Sequence, residues 1–73
     1  MALTIKPTEF HCEFHNRRKG KVFAERILNF IPREEDKLSM EGELYRVVSV
    51  TYSLDEIVQG AIAVFIIVDQ LGD

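Results

Sequence analysis

The stretch KVFAERILNFI, Lys21–Ile31, decides what this chain folds into. Phe23, Ala24, Ile27, Leu28 and Ile31 recur at the period of one helical face, whereas Val22 and Phe30 fall off it. Pro32 ends the segment on either reading, because it has no amide hydrogen and its ring clashes with a preceding helical turn. A helix at about 21–31 makes the protein α+β; a strand leaves it all-β. The segment before it tips the balance. NRRKG, Asn16–Gly20, is a polar loop of hairpin length ending in glycine, so a long, bulged strand running back along its predecessor is expected.

That predecessor is TEFHCEFHN, Thr8–Asn16. Apolar Phe10, Cys12 and Phe14 alternate with polar Glu9, His11, Glu13 and His15, the period of a half-buried strand. Two histidines, a cysteine and two glutamates within seven residues invite a metal reading, and strand geometry limits it. His11 and His15 share a face but lie about 13 Å apart, too far for one ion. His11 with Glu13, or Glu13 with His15, lie about 7 Å apart and chelate only if a neighbouring strand adds a third ligand. Cys12 points the other way, where it acts as a small hydrophobe. On the stretch alone no metal or cofactor is expected.

Downstream, PREED is a charged connection. KLSM and ELYRVVSVTYS flank Glu41-Gly42, a two-residue spacer in which glycine supplies the positive φ of a tight hairpin. In the second arm Tyr45 and Val47 share one parity and Val48, Val50 and Tyr52 the other, which predicts a bulge or sharp bend near Val47. LDEIVQG reads as the next connection and Ala61–Asp69 as the last strand. Five short strands in one 73-residue domain imply a small antiparallel barrel, SH3-like or OB-like. Within it IPREEDKLSMEGELYRVVSV, Ile31–Val50, resembles a pattern of small β-rich proteins from phages, prophages and related mobile elements. The shared features are a proline-containing loop, an acidic residue opening a short strand, a tight turn with glycine, then Tyr-x-Val-x-x-Val. The resemblance covers under a third of the chain, and the residues carrying it are structural. It implies the fold and an origin among such elements, and no catalytic residue.

Composition bounds the rest. With 47% hydrophobic and 29% charged residues, the chain has the makings of a compact core. The lone Cys12 excludes an intramolecular disulfide and a zinc site built on paired thiolates. MALTIKPTEF lacks the features of a secretory signal, so a cytoplasmic location is expected, or a virion-associated one for a phage protein. AIAVFIIV, Ala61–Val68, is too short to cross a bilayer, and no membrane partner is expected.

For catalysis there is little to assemble. Ser39, Ser49 and Ser53 lack a nucleophile-elbow context, no glycine-rich phosphate loop is present, and Glu34-Glu35 lies in a polar loop. Two other features point to partners. Arg17, Arg18, Lys19 and Lys21 crowd one hairpin tip, where they would reach nucleic-acid phosphates, with Tyr45 and Tyr52 as candidate stacking platforms. AIAVFIIV is apolar on both parities, so both faces of that strand need cover, and one barrel core supplies only one. Ala61, Ala63, Phe65 and Ile67 are the candidate interface, covered either by the Ala2–Ile5 segment or by a partner. Charge is divided along the chain as well. Residues 1–33 hold seven Lys and Arg against three Asp and Glu, and residues 34–73 hold two against nine, which suits head-to-tail contact between copies. The expected function is a noncatalytic protein-interaction or assembly module that meets itself or a larger protein; nucleic-acid binding through the basic tip is the alternative.

Overall fold

A computed structural model describes residues 9–58 and 60–71, without the side chains of residues 56–58, and among these the chain is all-β. The strands are β1 Phe10–Asn16, β2 Lys21–Leu28, β3 Lys37–Met40, β4 Glu43–Val58 and β5 Ala61–Leu71. They form one sheet in the order β2-β1-β5-β4-β3, curled into a half-barrel. Lys21–Leu28 is therefore a strand, as its hairpin context implied, and the chain bends away at Asn29 and Phe30. Asn16 builds the hairpin: its Oδ1 accepts the Arg18 and Lys19 amides at 3.0 and 3.3 Å, and its carbonyl accepts the amide of Gly20 at 2.8 Å. Gly20 takes φ 67°, which a side chain would resist.

Two bulges set which side chains face inward. On β2 the register passes from His15↔Val22 to Phe14↔Ala24, leaving Phe23 as the additional residue. On β4 it passes from Val47↔Val68 to Ser49↔Ile67, so Val48 is extra and Val50 and Tyr52 come to share a face with Tyr45 and Val47 despite their opposite parity. The phase shift seen in the sequence is this bulge. The concave face then gathers Cys12, Phe14, Ala24, Tyr45, Val47, Val64, Ile66 and Val68 as the buried core.

Three expectations change. One of the four pairings, β1 with β5, is parallel, where an all-antiparallel barrel was expected. The reason lies in the connection from β2 to β3, which carries the chain from one edge of the sheet to the other, so β1 and β5 enter its centre in the same direction. Second, LDEIVQG is mostly strand: Ser53 pairs with Ala63 and Ile57 with Ile62, and Leu54–Glu56 bulge out of a ladder that continues to Val58. Their charges mimic a loop. Third, the last strand runs two residues past Asp69.

The barrel stays open along a seam between its edge strands. Across it Phe23 of β2 stacks on Tyr45 of β4, with centroids 5.0 Å apart and planes at 29°, and Arg26 reaches Glu41 at 3.1 Å. Leu28, Phe30, Pro32, Leu38 and Met40 line the cleft left between the edges. The β2–β3 connection is clamped onto β4. The Glu35 amide donates to the Val47 carbonyl at 2.9 Å and the Val47 amide to the Asp36 carbonyl at 2.8 Å.

Candidate functional site

The outer, convex face is built from alternate residues of the central strands. Register places His11 beside Ala63, Glu13 beside Phe65 and His15 beside Ile67 on β5. On the other side, β2 sets Ile27 opposite His11 and Glu25 opposite Glu13. This face is polar in composition and yet partly sealed. Ala63 is 0% exposed and His11 only 9%. His11 Nε2 lies 2.9 Å from Glu25 Oε1, and His15 Nε2 lies 3.9 Å from Glu13 Oε1, while the His15 ring meets Phe65 edge to face. His11, Glu13 and Glu25 bring one ligand atom each to within 4.8 Å of one another. The sequence made Glu25 the least conspicuous member. Its place depends on the Phe23 bulge, without which Ala24 would face Glu13.

Of the four residues expected to form an interface, Ala61 and Ala63 are buried within the chain and offer no contact area. Phe65 and Ile67 are half-buried. The largest exposed apolar side chains lie elsewhere: Phe30 at 56%, Tyr52 at 54% and Leu54 at 81%. Phe30 and Tyr52 border two depressions that share Pro32, and Glu34 closes the rim beside Tyr52. Sequence reading missed Phe30 and Leu54 because each sits in a segment that parses as strand end or loop, where an apolar residue has no periodic partner to reveal its face. The Ala2–Ile5 segment, named as possible cover, lies outside the described residues.

The basic tip is exposed, and its members differ. Arg17 is held by Asp69 at 2.6 Å, and Arg46 joins the same carboxylate at 3.5 Å. Arg18, Lys19 and Lys21 are exposed and form no ion pair among the described residues. Tyr45 is buried in its stack on Phe23, which leaves Tyr52 as the one exposed tyrosine among the described residues.

Cys12 is fully buried, and desolvation pushes its thiol up to about 11, so it is a neutral core group at physiological pH rather than a nucleophile. Ser49 and Ser53 alternate with Thr51 along β4, opposite Ile67, Phe65 and Ala63. No hydrogen bond from a serine side chain to a histidine occurs among the described residues.

Comparison with family models, curated proteins and solved structures gave no match to this chain.

Proposed function

We propose that this chain is a noncatalytic assembly module that binds a second copy of itself head to tail, in the manner of a phage-type structural or accessory protein. One observation carries the reading: Phe30, Tyr52 and Leu54 are each more than half exposed, although the concave core is filled without them. Large apolar side chains left in solvent are what a protein partner covers, and two of them, Phe30 and Tyr52, border neighbouring depressions that share Pro32. Charge favours a second copy as that partner. Glu34 and Glu35 are exposed in the connection beside Tyr52, and Arg18, Lys19 and Lys21, at the β1–β2 turn and the start of β2, are exposed and form no ion pair among the described residues, in a different part of the fold. A basic turn seated against an acidic, apolar rim makes a heterologous contact, which closes into a ring or extends as a filament. Of the earlier candidates, Phe65 and Ile67 contribute through their half-buried edges.

Sedimentation or light scattering over a concentration series tests this. Wild type associates at micromolar concentration, and Leu54→Lys and Tyr52→Lys are folded monomers by circular dichroism. Wild type that stays monomeric at high micromolar concentration overturns it. The three exposed cations at this end of the hairpin also favour a second reading, binding of nucleic-acid phosphates. That reading predicts salt-dependent retention of DNA or RNA that Arg18→Glu abolishes while Leu54→Lys does not.

A further inference from the structure

We infer that the convex face carries a divalent-metal site, of zinc class, formed by His11 and Glu13 of β1 and Glu25 of β2. The spacing along β1 left such a site one ligand short. The hairpin supplies that ligand, because the bulge at Phe23 turns Ala24 into the core and brings Glu25 to the outer face directly opposite Glu13. One donor atom from each of His11, Glu13 and Glu25 then falls within 4.8 Å of the others. Ligands about 2.0–2.2 Å from a tetrahedral ion stand roughly 3.4 Å apart, so the set needs only side-chain adjustment to close on one.

The polar accounting points the same way. Two carboxylates facing each other across an antiparallel pair repel, and such pairs are normally relieved by a cation. Among the described residues neither Glu13 nor Glu25 has a Lys or Arg within ion-pair distance; their partners are His11 and His15. The His11 nitrogen that faces this pair is Nε2, 2.9 Å from the Glu25 carboxylate, and it is the donor an ion between them would take. His11 is itself more than nine-tenths buried. Mixed imidazole and carboxylate donors select zinc and neighbouring transition metals, whereas calcium and magnesium take oxygen shells. Glu25 is more than half exposed, so the ion has a path from solvent. Bound there it ties edge strand β2 to β1, the service a disulfide performs in other small domains.

The full chain, stripped of metal with a chelator and then freed of the chelator, is titrated with zinc, and separately with calcium and magnesium, by calorimetry and thermal melting. The expected result is about one zinc per chain and a melting temperature that rises with zinc and with neither of the other ions. Glu25→Gln alters an exposed side chain and keeps the fold, and it weakens zinc binding about tenfold or more. His11→Gln does the same, and Cys12→Ala leaves binding intact. Absence of a zinc-dependent shift, an equal response to calcium, or undiminished binding in Glu25→Gln overturns the site.

Discussion

Phe23 and Tyr45 stack across the seam of the half-barrel, joining β2 to β4 where no backbone pairing does. Phe23 is also the bulged residue of β2, so one irregularity both aims this ring and breaks the ladder beside it. Phe23→Ala should destabilise the protein by about 2 kcal/mol, less than a fully buried phenylalanine because the ring is only half-buried. Chemical denaturation measures the loss. Hydrogen exchange locates it, with protection falling in β2 before β5. Uniform loss of protection along the sheet would mean that the stack does not hold the seam.

The β3–β4 turn makes a second prediction. Glu41 and Gly42 both take positive φ, 54° and 78°, the signature of a type I′ hairpin between Met40 and Glu43. A Cβ at Gly42 would meet nothing within 4 Å, so any cost of substitution there is backbone strain. Gly42→Val should therefore destabilise by more than about 1 kcal/mol. Glu41→Asn should go the other way by about 0.5 kcal/mol, since asparagine tolerates this region and the exposed pair lost with Arg26 is worth little. A lower denaturation midpoint for Glu41→Asn would show that the Arg26 pair outweighs the strain.

Local pattern made much of this fold legible, and pairing between distant strands hid the rest. The alternation around Cys12, the Glu41-Gly42 spacer and the parity change near Val47 each have a signature within a few residues, and each corresponds to a strand, a turn or a bulge. The parallel pairing of β1 with β5 has none, because strands so far apart in sequence find each other only after the hairpins form. Bulges explain the remaining ambiguity. An extra Phe23 gives Lys21–Leu28 a mixed periodicity that helical spacing matches in part, and it sets Glu25 rather than Ala24 opposite Glu13. The metal-ligating set was therefore invisible along β1, although every member was in plain view.

Cys12 sets a chemical expectation. Its burial raises the thiol from 9.0 to about 11 by desolvation, so folded protein at pH 8 should react with a thiol reagent far more slowly than unfolded protein. The same shift fixes the sign of an alkaline effect. Between pH 9 and 11 the unfolded thiol gives up its proton while the folded one keeps it, so stability is complete below 9 and declines through that window. The loss is on the order of 2–3 kcal/mol, and Cys12→Ala should remove it. Denaturation midpoints at pH 8 and pH 10.5 for both proteins decide the point. Equal alkaline losses in the two would assign the effect to other groups.

The last expectation concerns the two faces of β5. Ile66 is 0% exposed among Phe14, Val47, Val64 and Val68, whereas Ile67, its neighbour, lies on the convex face, half-buried beside His15 and Ser49. A glutamate at position 66 would be a carboxylate in an apolar core with no cation to meet it. That costs several kcal/mol, comparable to the whole stability of a small domain, so Ile66→Glu should yield an unfolded chain. Ile67→Lys is chosen for the comparison because a lysine stem can lie along the sheet with its ammonium in solvent. It should fold, lose about 1 kcal/mol of stability, and weaken self-association if the convex face joins the contact. Circular dichroism separates folded from unfolded, and sedimentation of Ile67→Lys beside Leu54→Lys ranks the two surfaces. Should Ile67→Lys associate as strongly as wild type while Leu54→Lys is monomeric, the contact lies on the exposed side chains of Phe30, Tyr52 and Leu54 and the convex face is left to the metal.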